Sequence, residues 1–149
     1  MTATCGARNV DLVKSLGANE VLDYKTPEGD ALKSPSGVKY DAIIHCATGI
    51  PWSKFSSTLT PNGKVIDLTP NFKSIVHTIF KKVTFSKQKL LPFMASLNAE
   101  DLKLLAELVK DGKLRNIVDS QYPFVKAEES WVRSIEGHAT GKIVVTFQE

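Results

Sequence analysis

Cysteine is scarce: Cys5 and Cys46 are the only two in 149 residues. That is too few for a disulfide framework or a four-cysteine zinc site. The histidines His45, His77 and His138 fall at no metal-ligating spacing, so no metal site is expected. Long hydrophobic runs are missing too. No stretch approaches the roughly 18–20 apolar residues of a membrane-spanning helix. No serine or cysteine stands in a nucleophile elbow. Strong charge of either sign is absent, since 19 basic against 16 acidic residues leave a formal net charge of +3. The basic residues do not cluster with aromatics, so no nucleic-acid partner is expected. The densest basic stretch, Lys81 to Lys89, alternates with Val83 and Phe85 and reads as a solvated strand edge or loop. A reducing, intracellular compartment is the expectation for such a chain.

What is present is an alternation of strand and helix patterns. Thr2–Cys5 reads as a short strand and Gly6 permits a sharp turn after it. Val10, Val13 and Leu16 recur at helical spacing, with Gly17 as the stop. Asn19–Tyr24 is a second strand, and Lys25–Lys39 has no apolar period and reads as a loop. Tyr40–Cys46 is a near-continuous apolar run, the pattern of a parallel strand covered on both faces. Ile50–Leu59 fits a short helix with Pro51 in its first turn. Asn62-Gly63 reads as a turn and Lys64–Leu68 as another buried strand. This alternation predicts a doubly wound α/β sheet with right-handed crossovers. Further on, Ser74–Phe80 reads as helix and Lys82–Ser86 as strand. Ala99–Asp111 is the clearest helix, with Asn98 as N-cap and Gly112 as stop. Asn116–Phe124 reads extended, Lys126–Ile135 helical, and Gly141–Phe147 as a final strand.

In a dinucleotide fold, the loop after the second strand meets the adenosine ribose. An acid there holds the 2′-hydroxyl of NAD, and an arginine accommodates the 2′-phosphate of NADP. Here that loop is Cys5-Gly6-Ala7-Arg8-Asn9, with one arginine and no acid. Arg8 at a helix start suits an anion, and an ordinary exposed arginine explains the same position. Tyr24 either flanks the same phosphate or packs. Cys46-Ala47-Thr48-Gly49 and Asp67-Leu68-Thr69-Pro70 follow strand ends, where ligands of open parallel sheets bind. His138 lies in Gly137-His138-Ala139-Thr140-Gly141, between a helix and the last strand; a surface histidine in a turn is the competing reading.

Together, TCGARN, SLGANEVLDY, YDAIIHCATG, NGKVIDLTP and EGHATGKIVV resemble the medium-chain dehydrogenase/reductase superfamily, within it the quinone oxidoreductase branch and above all its plant chloroplast members. The resemblance covers essentially the whole chain. It implies a zinc-independent oxidoreductase that uses NADPH to reduce quinones or the carbon–carbon double bond of reactive enones. It further implies that Arg8 or its neighbour Asn9 holds the 2′-phosphate with Tyr24 beside it, that Gly6 belongs to the same cofactor-binding turn, that Cys46, Ala47 and Thr69 line the ribose and nicotinamide groove, and that His138 lies near the cofactor phosphates. A chloroplast envelope location, peripheral membrane association and homo-oligomerisation are consistent with it.

The pattern opens at the second strand of the fold. The expected architecture is therefore an incomplete Rossmann-type sheet lacking its first strand and glycine-rich loop over residues 1–114. Residues 115–149 are expected to be helices and strands that return to a catalytic domain outside the chain. In the order 3-2-1-4-5-6 the first strand is central, so its absence leaves two groups of strands without a partner between them. The chain is expected to be inactive alone. The alternatives are a non-catalytic Rossmann-like binding or oligomerisation protein and a methyltransferase, the latter disfavoured by the missing acid at Cys5–Asn9.

Overall fold

The computed structural model describes residues 1–70, 87–94, 96 and 98–147. Strand β1 (Thr2–Cys5) leads through a 3-10 turn at Ala7–Asn9 into helix α1 (Val10–Ser15), and β2 (Glu20–Asp23) follows. Gly17, at φ 101°, ends α1 as its sequence position predicts. The stretch read as a loop contains a one-turn helix, α2 (Pro27–Asp30). Its cause is local: the Thr26 hydroxyl accepts the Gly29 N–H at 3.1 Å and Pro27 presets the first turn.

Next come β3 (Tyr40–His45), α3 (Trp52–Thr58), β4 (Leu59–Asp67) and β5 (Lys89–Pro92). Pro51 stands at the N-cap of α3 and not inside its first turn, because its ψ of 151° is extended. Asn62-Gly63 does not end a turn before a separate strand. The whole of Leu59–Asp67 is one strand, and its irregularity appears as a register shift against β3, where Tyr40 faces Leu59 but Ala42 faces Lys64. Glycine is required at position 63 by close approach: a Cβ there would lie 2.8 Å from Leu59 Cδ2 and 3.0 Å from the Tyr40 carbonyl. The helix expected over Ser74–Phe80 and the strand expected over Lys82–Ser86 fall outside the described residues.

The remaining elements match their sequence patterns closely. Helix α4 (Ala99–Lys110) is capped by the Asn98 side chain, which accepts the Asp101 N–H at 2.8 Å, and Gly112 follows at φ 69°. Strand β6 (Val118–Pro123), helix α5 (Ala127–Ile135) and strand β7 (Lys142–Thr146) complete the chain.

All strand pairing is parallel among the described residues. Strand β1 pairs with β2, β4 lies between β3 and β5, and β6 pairs with β7. The expected split of the sheet is therefore present, with two strands on one side and three on the other. The chain divides into two compact units, residues 1–96 and 97–149. In the first, Phe55, Leu59, Val65 and Leu90 form the buried core, with Ile43, Ile50 and Trp52 packed against it. Each fully buried side chain of this kind contributes about 1.5–3 kcal/mol. This core anchors the three-stranded sheet whose C-terminal ends carry the site.

Candidate functional site

At the C-terminal end of β1, Gly6 caps the 3-10 turn and its carbonyl accepts the Asn9 N–H at 2.9 Å. The Tyr24 N–H donates to the Cys5 carbonyl at 3.1 Å, which extends the β1–β2 ladder by one bond. The Tyr24 ring consequently lies over Gly6, where an added Cβ would meet its hydroxyl oxygen at 3.5 Å. Arg8 is exposed beside them and Asn9 is half-buried. Gly6, Arg8, Asn9 and Tyr24 thus share one rim, rich in hydrogen-bond donors. A carboxylate, Asp23, stands at the end of β2, but its Oδ1 is occupied by the Lys25 N–H at 3.0 Å. Burial, and secondarily the Asp23 charge, push the Cys5 thiol up, which disfavours the thiolate.

A second rim forms where β3 and β4 end. The Thr69 hydroxyl donates to the Ala47 carbonyl at 2.5 Å, and the Thr69 N–H donates to Asp67 Oδ1 at 3.1 Å. Asp67 is buried, and its backbone carbonyl accepts the Phe93 N–H at 2.8 Å. Cys46 is exposed next to Ala47. The structure therefore brings Ala47 and Thr69 into contact, with Cys46 alongside.

His138 lies in the other unit, exposed, at φ 60° in the loop before β7. That loop is pinned from below. Arg133 on α5 donates to both oxygens of Asp119 on β6, and the Thr140 N–H donates to Asp119 Oδ1 at 2.7 Å. These hydrogen bonds, Arg133 first, hold the Asp119 carboxyl at about 2.

Two features were not visible in the sequence. Glu20 on β2 gathers three donors: the Thr2 hydroxyl at 2.6 Å, the Ser34 hydroxyl at 2.5 Å and the Ser36 N–H at 3.1 Å. They lower its carboxyl to about 2, with Ser34 the largest cause. The Tyr40 hydroxyl joins this cluster through Thr2 and Ser34, and burial pushes it up. Nothing short-range in the sequence marks residues 2, 20, 34 and 40 as neighbours.

The other feature is a cavity of about 490 Å³ between β1 and β3, lined by Thr2, Thr4, Ala42, Ile44 and His45 among others. His45 is buried, its ring edge-on to Phe55 with centroids 4.9 Å apart. The expectation that Tyr40–Cys46 is covered on both faces is corrected here. Ile44 is 66% exposed and Ala42 is exposed with it, because these alternating residues share the face of β3 that the described residues leave open, while Ile43 and His45 point to the packed face.

Among the described residues no three His, Cys, Asp or Glu side chains converge as a metal-binding group, and no helix is long and apolar enough to cross a membrane.

Residues 16–145 match the family model described as zinc-binding dehydrogenase. The chain is 58% identical over 145 residues to the chloroplast envelope quinone oxidoreductase homolog of Arabidopsis thaliana, covering 97% of this chain and 44% of that protein. A more distant relative, the chloroplastic NADPH-dependent alkenal/one oxidoreductase of the same plant, is 28% identical over 97% of this chain and 33% of its own length. The solved quinone oxidoreductase of Coxiella burnetii shares the fold, with a TM-score of 0.78 at 22% identity over 99% of this chain and 44% of that one. The chain thus spans less than half the length of the relatives it matches.

Proposed function

From the premise that the chain belongs to the zinc-binding dehydrogenase family, we propose that it is the nucleotide-binding part of an NADPH-dependent oxidoreductase. Its substrates are quinones or the carbon–carbon double bond of reactive enones, and its location is the chloroplast. The observation that carries this reading is the 58% identity over 145 residues to a quinone oxidoreductase homolog. The cofactor supplies a hydride when bound. The chain's own residues bind and orient it. Arg8 and Asn9 hold the 2′-phosphate by charge and hydrogen bonding, with the Tyr24 hydroxyl beside them. Cys46, Ala47 and Thr69 line the ribose and nicotinamide groove, and the Thr69–Ala47 hydrogen bond fixes the shape of that rim.

The donor set at the first rim fits NADPH: a guanidinium, an amide and a phenol, with Asp23 tied to the Lys25 amide. The family's descriptive zinc finds no fit, because the described residues bring no three ligating side chains together.

We further propose that residues 115–149 belong to a catalytic lobe, that the quinone pocket lies largely in a part of the enzyme other than these 149 residues, and that the chain alone is inactive. A chimera tests this, with these 149 residues replacing the matched region of the Arabidopsis relative. It is expected to oxidise NADPH with a quinone while the isolated chain does not. A folded chimera that binds no NADPH would overturn the cofactor. One that binds it but reduces neither quinones nor enones would overturn the substrate class. Turnover by the isolated chain would overturn its dependence on the remainder.

A further inference from the structure

Strands β3 and β4 run parallel and end in register, His45 beside Asp67. The Leu68 N–H donates to the His45 carbonyl at 2.9 Å, and the Phe93 N–H donates to the Asp67 carbonyl at 2.8 Å. Backbone bonds thus fasten the chain on both sides as far as Leu68. Beyond it, a side chain sets the direction. Asp67 Oδ1 accepts the Thr69 N–H at 3.1 Å, the i to i+2 closure of an Asx-turn. The turn carries the Thr69 hydroxyl back toward β3, where it donates to the Ala47 carbonyl at 2.5 Å. A hydroxyl has one proton to donate. With that proton on Ala47, the 3.4 Å approach of Thr69 Oγ1 to Asp67 adds no second donated bond. The carboxylate therefore acts on Thr69 through the backbone amide.

Asp67 is 4% exposed, whereas Thr69 is half-buried and Ala47 exposed. The carboxylate lies under the rim, and the joint it supports faces outward. Burying a carboxylate is costly, and the strand itself does not need one here, because the backbone makes the ladder bonds. The turn does need an acceptor. We propose that Asp67 is a positioning residue for the nicotinamide half of the cofactor. It touches no part of the nucleotide and holds Thr69 against Ala47, so that the loops after β3 and β4 present one fixed edge. This rests on the reading of the chain as the NADPH-binding part of the enzyme. The 2′-phosphate belongs in that reading to Arg8, Asn9 and Tyr24, on other elements. Loss of Asp67 therefore weakens one half of the nucleotide and spares the other.

The test uses the chimera with the Arabidopsis relative and two probes, NADPH and 2′,5′-ADP. The second carries the 2′-phosphate and lacks the nicotinamide riboside. Dissociation constants are read by calorimetry. Asp67→Ala is expected to weaken NADPH binding about tenfold, the scale of one hydrogen bond, and to leave 2′,5′-ADP within about twofold. Asp67→Asn keeps an acceptor at Oδ1 and is expected to bind NADPH within about twofold of the parent. Thr69→Val removes the hydroxyl that reaches Ala47 and is expected to match Asp67→Ala. The two substitutions together are expected to cost no more than either one, because both break the same joint. Four results would overturn the proposal: undiminished NADPH binding by Asp67→Ala or by Thr69→Val, equal weakening of both probes, no restoration by Asp67→Asn, or fully additive losses in the double variant. A parent chimera that binds neither probe would instead overturn the NADPH reading, and this proposal with it. Thr69→Val leaves the buried carboxylate in place, so the test stands even if Asp67→Ala does not fold.

Discussion

Arg133 grips Asp119 through a two-point contact, Nε to Oδ2 at 3.0 Å and Nη2 to Oδ1 at 2.9 Å. The pair joins α5 to β6, and the same carboxylate receives the Thr140 N–H from the loop that carries His138. A planar fork is needed for this geometry, and a lysine offers only one point of contact. Arg133→Lys is therefore expected to lower the melting temperature and to speed exchange of the Thr140 amide about tenfold. NMR exchange on the variant checks it, and unchanged Thr140 protection would contradict the role.

Acid stability follows from two carboxylates. Glu20 and Asp119 are each held at about 2, below their ordinary 4.5 and 3.8. A depressed folded-state value means the stabilisation is fully present above the unfolded value and is lost as pH falls through the folded one. Stability is thus expected to decline between about pH 4.5 and 2. Glu20→Gln and Asp119→Asn should each flatten part of that decline, as followed by thermal melts across the range.

Core packing sets the cost of two substitutions. Leu59 is 1% exposed, so Leu59→Ala is expected to destabilise by about 2–5 kcal/mol. Gly63→Ala pushes a methyl group against Leu59 and the Tyr40 carbonyl, a clash worth about 1–3 kcal/mol. Denaturant melts of the two variants measure both. A neutral Gly63→Ala would mean that β4 relaxes freely at its irregularity.

Cofactor choice hinges on Arg8. In the chimera, Arg8→Glu places a carboxylate where the 2′-phosphate is proposed to sit. Loss of a charge-assisted hydrogen bond is worth about 1.5–3 kcal/mol, so NADPH affinity should fall roughly tenfold or more with little change for NADH. Fluorescence titration with both nucleotides distinguishes this from a general loss of binding.

Helix capping supplies a local check. The Asn98 side chain accepts the Asp101 N–H and so satisfies one of the first free amides of α4. Asn98→Ala is expected to cost about 1 kcal/mol, measured as a shift in the denaturation midpoint. No shift would mean that α4 contributes nothing to the cooperative unit.

The elements that were legible were those whose signals are short-range. Asn98, the apolar period of Ala99–Lys110 and Gly112 mark α4 within fifteen residues, and the β-branched run of Lys142–Thr146 marks β7. Strand ends and the Gly6–Asn9 turn are legible for the same reason: Gly6 at the end of an apolar run marks the turn after β1 within a few residues. Missed were Thr26 as the cap of α2, a two-residue signal inside a stretch of loop-like composition, and the continuity of β4 through Asn62-Gly63. The second needed tertiary context, since the register shift against β3 absorbs residues that would otherwise turn.

By itself the sequence determined the family, the order of parallel strands and helices, and which loops lie at strand ends, because each depends on residue type and local spacing. Tertiary structure alone decided that Glu20 gathers Thr2, Ser34 and Ser36, that Asp119 and Arg133 meet across fourteen residues, and that residues of β1 and β3 line one cavity. Those relationships join residues far apart in the chain. Hydrogen bonding and packing choose such partners only once the backbone has brought them within reach, and no local pattern records the choice.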